Sequence, residues 1–441
     1  MAQKDLVLEA LKLNNYEELF RDIPEEVRSG IDSIGKGMTE LELLRESDKI
    51  ASLNKSHMDI FLGLGAYQRF IPSSINNVVM RNEFITSYTP YQAEISQGML
   101  QALFEYQSLI SDLSGMDVTN SSMYDGPTAL GEAVRMAHRV NGKTRVILPS
   151  NTRKSHLQVL HTYIDGLGIS VEYYGVNDDG TIDLESIKNL IDGDLCAIVT
   201  YNPSNFGTID PGVTSIVEIK GDALHIAYFD PISVSILKAP GEYDADIAVG
   251  EGQAMGVPLY YGGPYLGLFS FKNKYVRKSP GRLIGKTTDV SGNDAYVMTL
   301  QTREQHIRRD RATSNICTNQ ALLAVAASAY LSILGEKGLK WAATKSMNNV
   351  SAALKALEKI SYVKQFKWKN PFFTDFIVDV GEMSGKLSPY LQRNNILGGM
   401  RTSEILNAVE RKKNDAVFFA ATEMITEEQI DHLVKVMELI Q

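Results

Sequence analysis

Cysteine is scarce in this chain of 441 residues: only Cys196 and Cys317 occur, and neither belongs to a CxxC pair. Nothing in the sequence demands a disulfide between them, and sparse cysteine is typical of a reducing compartment. The first twenty residues mix charges with leucines at helical spacing, and they lack the basic start and apolar core of a signal peptide. We therefore expect a cytoplasmic protein.

Long blocks of basic residues are also missing. The chain carries 53 acidic and 44 basic residues, for a formal net charge of -9. This balance argues against nucleic acid and anionic membrane surfaces as main partners. The most apolar predicted helix, residues 321–334, is too short and too interrupted by serine to span a bilayer, so we expect it to be buried.

Several motifs that carry chemistry are absent from the sequence. There is no HExxH motif, and His156 and His161 are five residues apart, which misses the spacing of paired metal ligands on one helix face. No P-loop and no GxSxG motif occurs either. The sequence therefore predicts no metal site, and it excludes the common nucleotide-phosphate and serine-hydrolase motifs.

What is present is an alternation of short β-rich runs with helical stretches that begins near Arg145. This alternation predicts a mostly parallel sheet covered by helices on both faces, in an α/β fold. A helical arm is expected before it, and a long helix, two short strands and a capped final helix at 426–440 are expected after it. The predicted domains are residues 1–60 (helical arm), 61–330 (large domain) and 331–441 (small α/β domain). The predicted strands of the large domain are 146–148, 171–174, 197–201, 226–229 and 247–249.

Polar residues follow three of these strands, where ligands of open parallel sheets bind. Asn202 follows the strand 197–201, Asp230 follows 226–229, and Glu251 and Gln253 follow 247–249. This order resembles the aminotransferase-like fold of pyridoxal-phosphate enzymes (fold type I), in which the Asp pairs with the pyridine nitrogen. Taken singly, Asn-Pro-Ser after a strand is most often a turn, and Asp before Pro a cap.

The third strand end in that fold normally carries the lysine that forms a Schiff base with the coenzyme. Residues 247–256 contain no lysine; the nearest are Lys238 and Lys272. Without an amine at this place, the chain has no internal Schiff base. The four positions Asn202, Asp230, Glu251 and Gln253 are therefore interpreted as vestigial cofactor positions in an enzyme-like fold.

Longer motifs carry a resemblance that covers nearly the whole chain. Residues 88–98 (YTPYQAEISQG), 116–126 (MDVTNSSMYDG) and 313–322 (TSNICTNQAL) resemble the N-terminal-type subunit of glycine dehydrogenase (decarboxylating), the P-protein of the glycine cleavage system. Residues 22–28 and 250–253 are similar to the same family. These motifs are long and specific.

The resemblance implies an activity and partners. The P-protein removes the carboxylate of glycine as CO2 and passes the aminomethyl group to the lipoyl arm of the H-protein. Where it is split into two homologous subunits, these form an α2β2 assembly, and the second subunit carries the pyridoxal 5'-phosphate lysine. By this resemblance the chain holds no covalent cofactor, and it helps to close the active site of its partner.

Three polar clusters are the candidates for that shared site or for the subunit interface. The first is an aromatic loop that is expected to be exposed, the second a serine-rich turn, and the third a polar run that opens an apolar helix. Each also has an ordinary interpretation, because Ser, Thr and Asn before a helix commonly cap it. The candidate residues are Tyr88, Tyr91 and Gln92; Ser121, Ser122 and Tyr124; and Thr313, Ser314, Asn315 and Asn319.

Two alternatives remain open from the sequence. One is a regulatory or interaction protein that keeps a pseudo-enzyme fold without catalysis. The other is a self-contained pyridoxal enzyme that acts on another amino acid through a lysine at an unusual position, which the lysine-free strand end disfavours.

Overall fold

The computed structural model describes residues 2–28, 35, 37–55, 57–177, 179–301, 304–364, 370–407 and 415–440. The chain divides into two compact units, Met1–His57 and Met58–Gln441. The described residues of the first unit form two α-helices and two short 3-10 helices, and the second α-helix starts with a capping box in which Thr39 and Glu42 bond each other's backbone N–H groups. The predicted division of the chain near residue 330 stays a prediction.

The strands that the structure describes belong to the second unit and form one large and three small sheets. They are β1 Asp59–Ile60, β2 Val118–Thr119, β3 Arg145–Pro149, β4 Ser170–Tyr174, β5 Leu195–Asn202, β6 Leu224–Phe229, β7 Ile247–Glu251, β8 Gly267–Phe271, β9 Leu283–Thr288, β10 Asp294–Thr299, β11 Asp375–Val378, β12 Ile396–Leu397, β13 Met400–Arg401 and β14 Val417–Ala420.

The described residues form the following α-helices, the first two in the first unit and the others in the second. They are α1 Ala2–Leu11, α2 Glu40–Ala51, α3 Ser73–Val79, α4 Asn82–Ile85, α5 Gln97–Ser114, α6 Gly126–Asn141, α7 Lys154–Ile164, α8 Leu184–Leu190, α9 Ile216–Ile219, α10 Gln305–Arg308, α11 Ala321–Leu357, α12 Ser384–Arg393, α13 Thr402–Ile405 and α14 Glu427–Glu438.

The central sheet has the strand order β2-β8-β7-β6-β5-β3-β4. The five strands from β7 to β4 run parallel, and β8 and β2 add an antiparallel edge. Strands such as β5 are buried along nearly their whole length because helices cover both faces. The predicted mostly parallel α/β sheet is confirmed, and the five predicted strands correspond to β3–β7.

Three parts of this region differ from the sequence prediction. Strands β2 and β8 were not predicted, and neither was the β9–β10 hairpin, which packs on α5. The helical stretch expected between β5 and β6 is a 3-10 turn, Pro211–Ser215, followed by the short α9. Pro211 at the first position and the Asp210 side chain, which accepts from the Gly212 N–H, favour the tight turn.

Helix α11 is interrupted at Gly335, whose φ of 57° and ψ of -171° are not helical. By length and composition alone α11 could cross a membrane. Its first half, however, packs in the hydrophobic core beside α5, where Leu323 and Tyr330 are buried with Leu100 and Leu103. This is the packing of a core helix in a globular protein, and the break agrees with the two helices predicted before and after Gly335.

The last part of the chain forms a second core around the antiparallel sheet β11-β14-β13. Helix α14 begins with the predicted capping box: Thr426 accepts from the Gln429 N–H, and Gln429 accepts in return from the Thr426 N–H. Asp375 at the start of β11 is buried, and its side chain reaches the carboxyl ends of the central strands. This placement brings a carboxylate from the second core to the candidate site.

Candidate functional site

The carboxyl ends of β5, β6 and β7 lie side by side, because these strands are neighbours in the sheet. Asp230 and Glu251, together with Tyr67, Arg153 and Asp375, line a cavity of about 50 Å³ that we call the strand-end cavity. Ligand pockets for cofactors and drug-sized molecules typically measure about 300–1,000 Å³. The strand-end cavity is therefore too small for a coenzyme of that size.

The carboxyl group of Glu251 accepts three backbone N–H groups. Oε2 accepts from Gly126 at 2.9 Å, and Oε1 accepts from Gln253 at 2.9 Å and from Leu266 at 3.1 Å. Gly126 is the first residue of α6, and helix N-termini are the places where proteins bind phosphates and other anions. A side chain of the protein itself therefore occupies this anion-binding position.

Burial dominates the protonation of Glu251. Loss of solvent raises its pKa to about 8, although the three N–H donors act in the opposite direction. The space around Gly126 is equally restricted, since a Cβ there would lie 2.1 Å from the Tyr228 hydroxyl oxygen. Glu251 and Tyr228 thus both crowd the first residue of α6.

A buried ion pair fills the opposite side of the cavity. Nη2 of Arg153 lies 3.1 Å from Oδ2 of Asp375, and the Tyr67 hydroxyl donates to the same oxygen at 2.8 Å. Oδ1 of Asp375 accepts from the Leu64 N–H at 3.0 Å. The group that a ligand would meet here is therefore already neutralised by an arginine and a phenol of the same chain.

Aromatic rings complete this wall. The rings of Tyr201 and Tyr228 stack with centroids 4.8 Å apart, and His156 lies beside both. Burial lowers the pKa of His156 to about 3, so the imidazole is neutral at physiological pH. These rings pack as part of the core and leave little free space.

The four positions predicted to be vestigial have different surroundings. Asp230 lines the cavity, but its Oδ1 accepts from the N–H groups of Ile232 and Ser233 at 2.8 and 2.9 Å, and burial raises its pKa. Asn202 accepts from the Asp210 N–H, and the buried amide of Gln253 bonds the backbone of Tyr67 and Val257. Asn202 and Gln253 are not among the residues that line the cavity.

A pyridoxal phosphate group does not fit these residues. The strand end that would supply a lysine amine supplies the Glu251 carboxyl group, which bonds the N-terminus of α6. The cavity that remains is about 50 Å³, and the three carboxyl groups that line it are bonded within the chain, whereas the buried amide of Asn205 has no hydrogen-bond partner among the described residues. The described residues also include no group of three or more His, Cys, Asp or Glu side chains that could hold a metal ion.

A second polar centre surrounds Arg282, the residue before β9, which is only 6% exposed. Its Nη2 donates to the Tyr91 hydroxyl at 2.9 Å and to the carbonyl of Cys317. Its Nη1 donates to Thr89 Oγ1 at 3.2 Å and more weakly to Asn319 Oδ1 at 3.4 Å. We call Arg282 and its four partners the Arg282 cluster.

The serine-rich turn joins the same cluster. The Ser121 N–H donates to the carbonyl of Arg282 at 2.9 Å, and Nδ2 of Asn319 donates to the carbonyl of Ser121 at 2.7 Å. The Ser122 hydroxyl accepts from the Gln320 N–H at 3.0 Å, and Ser122 has the unusual φ of 122°. One residue from each of the three candidate clusters, Tyr91, Ser121 and Asn319, therefore bonds directly to Arg282.

The other candidates are placed differently. Tyr88 is 75% exposed and Tyr91 46% exposed, and Gln92 is exposed beside them, so the aromatic loop faces solvent. Tyr124 is half-buried. Ser314 is buried and donates to the buried carboxylate of Glu132 at 2.5 Å, away from Arg282.

Two further candidates of the third cluster lie near Ser314. Thr313 is half-buried and Asn315 is exposed. Neither is among the described partners of the Arg282 guanidinium, which come from residues 89–91 and 317–319, with Glu304 3.8 Å from its Nε.

Sequence reasoning did not find Arg282. It follows the turn residues Ser279, Pro280 and Gly281, and nothing local distinguishes it from a surface arginine. Arg153 and Asp375 were missed in the same way. Only the resemblance and the polar composition selected the loops that Arg282 joins.

Comparison with known proteins places these features in a family. A family model described as glycine cleavage system P-protein matches residues 1–437. The chain is 49% identical to the probable glycine dehydrogenase (decarboxylating) subunit 1 of Thermoplasma volcanium, over 98% of both chains. It is 46% identical to the protein of the same name from Thermoplasma acidophilum, over 98% of this chain and 99% of that one.

Solved structures agree with the sequence comparisons. A crystal structure of glycine decarboxylase (P-protein) of the glycine cleavage system, in inhibitor-bound form, is 35% identical with a TM-score of 0.88, and the match covers 98% of this chain and 96% of that one. A cysteine desulfurase from Thermococcus onnurineus is 15% identical with a TM-score of 0.60, over 92% of this chain and 98% of that one, and shares the fold alone. The α/β, aminotransferase-like fold expected from the sequence is confirmed.

Proposed function

The chain belongs to the glycine cleavage system P-protein family and is a subunit of that protein, and we propose that it completes the active site of a homologous, lysine-bearing second subunit. In this proposal the two form a cytoplasmic α2β2 heterotetramer with glycine dehydrogenase (aminomethyl-transferring) activity. The assembly decarboxylates glycine and transfers the aminomethyl group to the lipoyl arm of the H-protein. Pyridoxal 5'-phosphate is held covalently by the partner's lysine and not by this chain.

One observation carries the proposal. Glu251, at the strand end where the fold would place a lysine amine, bonds the N-terminus of α6 and two further backbone N–H groups. This chain thus uses its own carboxyl group where the family fold would need an amine and an anion site. A subunit of this kind contributes to catalysis through residues that meet its partner.

The Arg282 cluster is the part of the chain best suited to that contribution. Tyr88, Tyr91 and Gln92 are exposed, whereas the backbone and side chains behind them are fixed by Arg282. Aromatic side chains that are rigidly held at a surface are typical of contact residues. In the assembly this loop would cover the partner's site, exclude water and present hydroxyl and amide groups to it.

The test uses the purified chain, the homologous lysine-bearing subunit of the same organism and lipoylated H-protein. We expect CO2 exchange and release from glycine only when both subunits are present, with the coenzyme absorbance contributed by the partner. Full activity of the isolated chain would refute the subunit assignment. A chain that binds the partner without changing its rate would instead be a regulatory or interaction protein with a pseudo-enzyme fold.

A further inference from the structure

The buried guanidinium of Arg282 makes its hydrogen bonds to neutral groups. Among the described residues, Oε1 of Glu304 lies 3.8 Å from Nε, which is ion-pair distance but too long for a hydrogen bond, and the hydrogen bonds of the guanidinium go to hydroxyl, amide and carbonyl oxygens. Burying a charge whose described carboxylate partner is not hydrogen-bonded to it costs free energy, so stability alone does not explain an arginine here. Resting on the proposed function, we infer that Arg282 is a positioning residue that orients the Tyr91 hydroxyl for the shared site.

The direction of one hydrogen bond carries the argument. A guanidinium has only donors, so the Tyr91 oxygen must accept the bond from Nη2 at 2.9 Å. The phenol keeps its own proton, and none of the described residues accepts it. Because Tyr91 is 46% exposed, an acceptor on a second molecule can reach that proton.

The same guanidinium fixes the surroundings of the phenol. The guanidinium carbon of Arg282 lies 5.3 Å from the centre of the Tyr91 ring. The other N–H groups of Arg282 donate hydrogen bonds to Thr89 and to residues 317 and 319. Four bonds from one planar fork define the position of the loop more tightly than a single ammonium group could. Arg282→Lys therefore keeps the charge and loses the geometry.

Tyr91 can then act on an anion bound in the partner. A fixed hydroxyl with an outward proton suits a carboxylate or a carbonyl oxygen, and the substrate class of the proposed reaction, a small α-amino acid, carries a carboxylate. Arg282 itself would not touch the substrate, because it is buried behind Tyr91 and acts through it.

Arg145 offers a matched control. It lies at the start of β3, at the end of the strand opposite to the strand-end cavity, and its guanidinium also joins several elements. Nη1 bonds Glu172 at 2.9 Å, and Nη2 bonds the carbonyl of Leu190 and the carboxylate of Asp192 at 2.6 Å each. Arg145→Lys thus removes a comparable set of guanidinium hydrogen bonds at a place outside the Arg282 cluster.

The experiment measures kcat and KM for glycine in the complete system of both subunits and H-protein. We expect Arg282→Lys to lower kcat on the order of 100-fold, since a small misplacement of a reacting group has effects of that size, with a much smaller change in KM. Tyr91→Phe should lower kcat as well, and Arg282→Lys with Tyr91→Phe should be no slower than Arg282→Lys alone. Arg145→Lys should retain the wild-type kcat.

The outcomes separate the inference from the proposed function. A wild-type mixture that stays inactive would reject the proposed function and the inference with it. An active wild-type mixture with an equally active Arg282→Lys mixture would reject the inference alone. If Arg282→Lys fails to assemble, as seen by size-exclusion chromatography, Tyr91→Phe decides: wild-type kcat in that variant overturns the role of the hydroxyl.

Discussion

The strand-end cavity and the Arg282 cluster are joined by one stretch of chain, residues 121–126, yet their polar groups are satisfied in different ways. In the cavity, Glu251 and Asp375 are bonded by groups of the same chain, and Asp375 is buried while Glu251 is half-buried. In the Arg282 cluster, the buried guanidinium bonds the inner side of a loop whose tyrosines, Tyr88 and Tyr91, are exposed to solvent. The comparison teaches that one fold can satisfy polar groups within a small cavity at its strand ends and, elsewhere, support exposed side chains on loops held by a buried residue.

The prediction with the largest expected effect tests whether the ion pair in the strand-end cavity stabilises the fold. Arg153→Met leaves the Asp375 carboxylate, which is 4% exposed, without its arginine, and we expect a loss of about 3–5 kcal/mol in the free energy of unfolding. Urea unfolding followed by circular dichroism measures it. Arg145→Met, whose carboxylate partners are largely exposed, should cost clearly less. Equal losses in both variants would contradict a structural role for the cavity ion pair.

The second prediction concerns the pH dependence of stability at Glu251, whose pKa is raised in the folded state to about 8 from an ordinary value of 4.5. Below pH 4.5 the Glu251 carboxyl group is protonated in both the folded and the unfolded state. Between pH 4.5 and 8 it has lost its proton in the unfolded state but keeps it in the folded state. The free energy of unfolding therefore falls as pH rises, by at most about 1.4 kcal/mol per pH unit, and the decline ends above pH 8.

Glu251→Gln, which cannot ionise, is the reference for that experiment. Urea unfolding between pH 5 and 9 should show the wild type losing stability relative to the variant up to about pH 8. Parallel pH profiles of the two proteins would mean that Glu251 ionises normally in the folded state and that the cavity is open to water.

The third prediction tests whether the exposed loop is functional. Tyr91→Ala should lower glycine decarboxylation by the complex about 10- to 100-fold, corresponding to about 1.4–2.7 kcal/mol of transition-state free energy. Its melting temperature should stay near that of the wild type because the side chain is 46% exposed. Tyr173→Ala, a partly exposed tyrosine on the edge strand β4, is the control and should keep the wild-type rate. Wild-type rates in both variants would remove the loop from the site.

The prediction with the smallest expected effect tests whether the backbone at Ser122, in the turn between the two regions, is strained. Ser122 has a φ of 122°, a region that favours glycine, and its hydroxyl accepts from the Gln320 N–H. Ser122→Ala keeps the strain and loses the bond, at a cost of about 1 kcal/mol, whereas Ser122→Gly loses the bond but relieves the backbone. Urea unfolding should therefore find the glycine variant the more stable of the two. The reverse order would show that no strain is held there.

The sequence predicted the parts of the fold that have local signals. Strands β3–β7 were found because they are short, apolar and separated by helical stretches, as buried parallel strands are. The β9–β10 hairpin was missed because β9 ends in polar, exposed residues and gains its partners only from the hairpin and α5. Such pairing depends on tertiary contacts rather than on a hydrophobic period.

The candidate site was predictable only in part, for a similar reason. Tyr91 and Asn319 were selected by resemblance, but their meeting at Arg282 joins residues 191 and 37 positions away along the chain. No local pattern encodes such distances. The missing lysine near Glu251 could be read directly, whereas the hydrogen bond between Glu251 and the N-terminus of α6 required coordinates.

The bond between Glu251 and α6 has a consequence for how the protein is made. A dissociable anion at a helix N-terminus stabilises the fold only as far as its concentration and affinity allow. Glu251 is part of the polypeptide, so every molecule carries this carboxyl group and none depends on the concentration of a free anion. This chain can therefore complete the N-terminus of α6 with its own side chain, and this part of the fold does not depend on a bound anion.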